Sequence, residues 1–209
     1  MIVGITGKAG CGKSTLANYI ADALRSAGYG RGRAYRENTC MRIMSFADPI
    51  RDVAAAVFGS RYETQESKAA IDEWWDIKFR TCSNGTRQGP AVTGRRILQI
   101  IGTDCFRNKF HPDIWLYAME RRLPTDPAVH VIIPDVRFDN EADWIRARGG
   151  RVVHLTRTHG DALGAPVDTT YSHLSEAGVR MKALDRACFA STLDGLRNIA
   201  GDIVKDYLI

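Results

Sequence analysis

With 209 residues, 44% of them hydrophobic and 25% charged, the chain is long enough to bury the core of one globular α/β domain. Its formal net charge of +5 suits a nucleic-acid partner or a pocket for several phosphates, and without a run of about five or six like charges the pocket is favoured over nucleic acid. No stretch approaches a membrane span, Ile2-Val3-Gly4-Ile5 has no signal-peptide character, and the cysteines at 11, 40, 82, 105 and 188 form no C-x-x-C pair. A soluble cytoplasmic protein with reduced thiols and no membrane partner is expected.

An apolar run at 1–6 predicts a buried strand, and 14–27 predicts the helix that follows it. The basic stretch Arg31, Arg33 and Arg36 lies among Gly30, Gly32 and Tyr35 and reads as a solvated loop. A second strand is predicted over 41–46 and a second helix over 49–58. The polar stretch 60–94, with Ser83-Asn84-Gly85 and Gly89-Pro90, reads as an insertion on the substrate side; Trp74, Trp75 and Phe79 mark a short helix in it. Helices at 95–108 and 114–122, a strand at 129–133, a helix at 140–148 and a strand at 151–156 follow. The segment 157–175, with Gly160, Gly164 and Pro166, has no apolar periodicity and reads as a lid-like loop. A strand at 187–190 and an amphipathic helix at 193–208 close the chain. Strands alternating with helices predict a single domain with a three-layer α/β/α sandwich and a mostly parallel five-stranded sheet.

The strongest local signal is Gly7-Lys8-Ala9-Gly10-Cys11-Gly12-Lys13-Ser14, a full G-x-x-x-x-G-K-S/T match between the first strand and the first helix, which makes the fold that of a P-loop NTPase. Its glycines let successive backbone N–H groups turn inward, and the helix N-terminus adds positive potential for phosphate. Gly10, Cys11, Gly12, Lys13, Ser14 and Thr15 are therefore the expected ATP-binding residues. Lys13 would reach the β- and γ-phosphates, and the Ser14 hydroxyl would ligate Mg²⁺. A ligand-free glycine turn is the bland alternative, and the flanking strand and helix make it a poor one.

Asp135 follows the apolar run Val129-His130-Val131-Ile132-Ile133-Pro134, where a carboxylate can hold Mg²⁺ or orient the attacking oxygen. A turn or helix-capping role is its structural alternative. Arg137, two residues on, offers a planar fork for phosphate.

Four blocks carry a wider likeness: GKAGCGKST, SFADPIR at 45–51, RRILQIIGTDCFR at 95–107 with Trp115 downstream, and IIPDVRFDNEADWIRARGGRVVHLTR at 132–157. His173-Leu174-Ser175-Glu176 is a fainter echo. With these blocks the chain resembles the deoxynucleoside monophosphate kinases of tailed bacteriophages, a branch of the P-loop nucleoside monophosphate kinase superfamily. The resemblance implies phosphorylation of deoxynucleoside 5′-monophosphates by ATP with Mg²⁺, in the host cytoplasm if the chain is phage-encoded. It implies catalytic roles for Lys13, Asp135, Arg137 and Arg157. Between two repelling phosphates it places Arg51, Arg96 and Arg107, and for the rest of the substrate Gln99, Thr103, Asp104, Trp115, Asn140 and Glu141. For Trp115 a core position, and for Asn140 and Glu141 helix capping, compete with those roles. One departure stands out: 157–175 contains Arg157 as its sole arginine, where many such kinases carry two or more in the lid, and His159 and His173 offer alternative contacts.

Another small-molecule P-loop kinase, such as dephospho-coenzyme A kinase, would share these features. A regulatory GTPase fits poorly, because Asp161-Ala162-Leu163-Gly164 is not followed by N-K-x-D, and Asn108-Lys109-Phe110-His111 precedes it and lacks the aspartate. A nucleic-acid-binding module that merely holds nucleotide would bind with steep salt dependence and without turnover. Hydrophobic surface helices would allow a homodimer, although no self-complementary pattern marks one.

Overall fold

The computed structural model describes residues 1–27, 41–82, 84–86, 88–157 and 178–208. The basic stretch 31–36, the fainter echo at 173–176, and His159, Asp161 and the rest of the lid-like loop beyond Arg157 lie outside the described residues. Chain contacts gather into two compact units, Met1–Ser45 with Leu123–Ile209, and Phe46–Arg122.

The first unit holds β1 (Ile2–Thr6), α1 (Lys13–Ser26) and β2 (Met41–Ile43). The second holds α2 (Asp48–Phe58), α3 (Gln65–Ala69), α4 (Glu73–Arg80), α5 (Gly94–Gln99), a π-helical stretch at Ile100–Arg107, and α6 (Ile114–Glu120). The chain then returns to the first unit with β3 (His130–Ile133), α7 (Asp139–Ala147), β4 (Arg151–Arg157), β5 (Arg186–Ala190) and α8 (Leu193–Ile203), which ends in a π-helical turn at Val204–Leu208.

All strand pairs are parallel, in the order β2-β3-β1-β4-β5, so β1 is central. Its run IVGIT is buried along its whole length, as a parallel strand covered on both faces requires. Val3 and Ile5 pack in one core with Leu16, Ile20 and Leu24 of α1 and Leu196, Ala200 and Ile203 of α8. Alternation turns Gly4 to the opposite face, where a Cβ would lie 2.5 Å from Ile145 Cδ1 of α7 and 2.9 Å from Val136 Cγ2. One helix layer thus carries α1 and α8 and the other carries α7, giving the expected α/β/α sandwich. Parallel strands share one C-terminal edge, and the segments leaving that edge after β1, β2 and β3, with Arg157 at the end of β4, carry the candidate site.

Strand boundaries fall close to the apolar runs. β2 stops at Ile43 instead of 46: Met44 N still donates to Ile132 O at 2.9 Å, but Ser45 turns its hydroxyl to Asp135. In the second unit the helix predicted over 95–108 is α-helical only through Gln99. The widened stretch contains Gly102, a weak helix former, whose carbonyl accepts the Trp115 indole N–H at 2.7 Å. The core there joins Ala54, Tyr62, Val92, Ile97, Ile101 and Trp115. Trp74, Trp75 and Phe79 do lie on a short helix, α4, while α3 had no periodic signal.

A buried carboxylate ties three parts of the first unit. Asp185, with a side chain 1% exposed, accepts hydrogen bonds from Arg146 Nη2 at 2.5 Å, Lys182 N at 2.8 Å and His154 Nε2 at 2.9 Å. Burial works against its ionisation, but the Arg146 guanidinium, the Lys182 N–H and His154 outweigh it and hold the carboxyl below the usual range. A carboxyl depressed in the folded state stabilises the fold above its unfolded value of about 3.9, and that contribution is lost as pH falls through the folded value. Asp185→Asn should therefore cost about 3 kcal/mol at pH 7 in chemical denaturation, and the gap from wild type should close as pH falls below about 4. An equal gap at pH 7 and pH 2 would contradict this assignment.

Candidate active site

The loop from Gly7 to Gly12 links the central strand to α1, and its glycines have geometric work. Gly7, Gly10 and Gly12 adopt φ of 147°, 74° and 99°, values that side-chain-bearing residues rarely reach. At Gly7 a Cβ would also lie 2.2 Å from Leu155 O and 2.9 Å from Cys11 Sγ, so the loop is threaded against β4 with no room to spare. Gly12 caps α1 in the left-handed region with no side-chain hydrogen bond, and no acidic residue occupies the first turn. The first-turn N–H groups are thus served by no capping side chain, which suits an anion.

Lys13 folds back over this loop. Its Nζ donates to Gly7 O and Lys8 O, both at 2.7 Å, and lies 3.9 Å from Cys11 Sγ. Burial pushes its pKa down, as does the charge of Arg137, while Cys11 and Asp135 act in the opposite sense. Ser14, which is exposed, and Thr15 follow on the first turn of α1.

Asp135 stands two residues beyond β3. The turn that carries it is fastened to the central strand by Val136 N donating to Ile5 O at 3.2 Å. Ser45 Oγ donates to Asp135 Oδ2 at 2.5 Å. Asp135 does not cap α7; that helix starts from Phe138. The capping work belongs to Glu141, 2% exposed, whose Oε2 accepts from Arg137 N at 2.8 Å and Phe138 N at 3.2 Å. Asn140 Oδ1 accepts from Glu141 N at 3.0 Å. Glu141 thus fixes the turn that presents the exposed Arg137. Arg157 ends β4 with Ala190 as its strand partner.

These residues of the first unit, the 7–15 loop, Ser45, Asp135, Arg137 and Arg157, all leave the C-terminal edge of the sheet, the side on which open α/β folds bind ligands. Ser45 opens the SFADPIR block, but the sequence gives it no role; its hydrogen bond to Asp135 supplies one. The remaining candidates belong to the second unit. Arg51 pairs with Asp48 at 2.8 Å on the first turns of α2. Arg96 and Gln99 are on α5; Thr103, Asp104 and Arg107 lie on the π-helical stretch, with Thr103 buried and Asp104 exposed, and Arg107 Nη1 donates to Pro112 O at 3.2 Å. Trp115 is 3% exposed within the core, its indole N–H spent on Gly102 O. It is a packing residue here, with no ring face open to a base.

The sequence profile described as deoxynucleotide monophosphate kinase matches residues 36–197. The chain is 24% identical to the deoxynucleoside-5′-monophosphate kinase of Escherichia phage T5, over 95% of this chain and 92% of that one. It is 28% identical, over 75% and 74% of the two chains, to a protein of Acanthamoeba polyphaga mimivirus provisionally named deoxynucleotide monophosphate kinase. It is 33% identical to the deoxynucleotide monophosphate kinase of Enterobacteria phage T4 over a shorter stretch, 42% of this chain and 35% of that one.

Two glycine positions of the loop separate steric clash from backbone strain. At Gly10 an added Cβ would meet nothing within 4 Å, so Gly10→Ala should cost only the positive-φ penalty of about 1–2 kcal/mol. Gly7→Ala adds the collision with Leu155 O and should cost about 3 kcal/mol or more, seen as the larger fall in thermal midpoint. Equal midpoints for the two variants would refute the packing argument.

Proposed function

The chain belongs to the deoxynucleotide monophosphate kinase family, and from that premise we propose that it transfers the γ-phosphoryl group of ATP to the 5′-phosphate of a deoxynucleoside monophosphate, giving the diphosphate. The observation that carries this reading is the glycine loop: left-handed glycines, an α1 N-terminus with no side-chain cap, and Lys13 lying across the loop on the carbonyls of Gly7 and Lys8. Binding of a triphosphate would let Lys13 exchange the carbonyls of Gly7 and Lys8 for β- and γ-phosphate oxygens.

Magnesium fits the same residues. The Ser14 hydroxyl and the Asp135 carboxylate are oxygen donors suited to a hard cation, and no cluster of three His, Cys, Asp or Glu ligands occurs among the described residues. Two protein oxygens with phosphate and water completing the set is the usual way Mg²⁺ is held. When bound, Mg²⁺ neutralises charge on the β- and γ-phosphates.

The chain's own part is alignment and charge. No covalent nucleophile is needed, because the acceptor phosphate oxygen attacks directly. Lys13, Arg137 and Arg157 counter the charge that shifts as the phosphoryl group moves, and Glu141 acts through the Arg137 turn. Arg51, Arg96 and Arg107 are assigned to the acceptor's phosphate, and Gln99, Thr103, Asp104 and Asn140 to its sugar and base. Thr103 is buried, so its contribution runs through the helix that bears Asp104 and Arg107.

Purified protein with ATP and Mg²⁺ should release ADP only when a deoxynucleoside monophosphate is added, assayed with each of the four common ones and with dephospho-coenzyme A alongside. ADP release without acceptor, or with dephospho-coenzyme A alone, overturns the proposal. Lys13→Ala should lower kcat about 100-fold or more by removing charge stabilisation from the transition state. Asp135→Asn should cause a comparable loss while the thermal midpoint stays within a few degrees. Collapse of the fold in that variant would return Asp135 to a structural role.

A further inference from the structure

We infer that Ser45 is a positioning residue for the metal-binding carboxylate, fixing the rotation of Asp135 at which it meets the nucleotide-bound cation. The inference rests on the kinase reading above and deepens it.

The geometry is local to the first unit. β2 pairs with β3 in parallel register, Ile43 against Ile132, and Met44 N extends the ladder by donating to Ile132 O. Ser45 is two residues beyond β2, and Asp135 is reached from the neighbouring strand through Pro134. The two segments leave the sheet side by side, and the Ser45 hydroxyl, on a residue 9% exposed, meets Asp135 Oδ2 at 2.5 Å. A carboxylate is acceptor-only when ionised, so the hydroxyl must donate. A donor held on Oδ2 by a buried segment restrains the rotation of the carboxylate plane. The direction in which the carboxylate offers its lone pairs to a cation is set with it.

The same carboxylate acts electrostatically on Lys13. A swing of Asp135 would thus disturb both the cation position and the balance around the ammonium. Its turn is pinned at the backbone by Val136 N to Ile5 O, but backbone pinning leaves the side-chain torsions open. Ser45 supplies a contact that restrains them. Ligand-orienting partners of this kind are worth about 10–100-fold in metal affinity.

The test titrates Mn²⁺ into protein holding the non-hydrolysable analogue β,γ-imido-ATP and follows free Mn²⁺ by its paramagnetic resonance signal. Ser45→Ala and the isosteric weak donor Ser45→Cys should raise the Mn²⁺ dissociation constant about 10-fold. Ser45→Thr, which keeps the hydroxyl, should stay within about twofold. Binding of the analogue in the presence of EDTA should be unchanged in all three. If Ser45→Ala does not fold, Ser45→Cys against Ser45→Thr decides the matter. Wild-type Mn²⁺ affinity in both hydroxyl-free variants overturns the inference and leaves the kinase reading standing. Equal weakening of analogue binding without metal also overturns it, because Ser45 would then be supporting the fold of the site. Failure of the wild type to bind Mn²⁺ with the analogue would sink the kinase reading and this inference together.

Discussion

A helix whose first turn has no side-chain cap, joined to the end of the central strand by glycines at positive φ, is the constraint around which the first unit is built. Gly7 passes so close to Leu155 O that even a methyl group would collide, and Gly12 holds the left-handed turn from which α1 begins. That arrangement leaves the first-turn N–H groups of α1 without a capping side chain, as suits an anion. The loop leaves β1, which is central and wholly buried, with a strand on each side of its entry. The loop draws its rigidity from the sheet, and its glycines, which are conformationally permissive elsewhere, are held here by β4 and by Leu196 of α8.

The charges follow from that loop. Lys13 lies on carbonyls of its own loop, with burial and Arg137 pushing its pKa down and Asp135 pulling it up. Asp135 is steadied by Ser45, and the Arg137 turn by the buried Glu141. On the proposed reading, Asp135 and the Arg137 turn are each held by a neighbour that does no chemistry itself. Fixed donors and charges of this kind stabilise developing charge without reorganising at the moment of reaction, which is what phosphoryl transfer asks of a protein. Membership of the deoxynucleotide monophosphate kinase family and the physical reading of the loop point to the same reaction.

Much of this was legible in the sequence, for particular reasons. The inner strands β1 and β3 were visible because cover on both faces turns a strand into a short apolar run ended by Gly or Pro, as with Ile132-Ile133-Pro134. The cradle was visible because its backbone needs glycine at fixed spacing. Asp135 could be found from its place after a strand. Ser45 could not, since a serine hydroxyl has no spacing rule and its partner is 90 residues away. The Asp185 cluster was hidden likewise, its Arg146 contact spanning 39 residues. Glu141 showed itself as a capping residue, and Trp115 as a core residue, because burial and partners decide such roles and composition does not. The break from α- to π-helix after Gln99 coincides with the Trp115 indole reaching Gly102, a tertiary contact that no periodicity reports.

The most direct measurement is a crystal structure of the protein with β,γ-imido-ATP and Mg²⁺. The β- and γ-phosphates should lie within hydrogen-bonding distance of the main-chain amides between Gly10 and Thr15, with Lys13 Nζ turned from its loop carbonyls onto phosphate oxygen. A triphosphate bound away from that loop, with Lys13 still on Gly7 and Lys8, would contradict this.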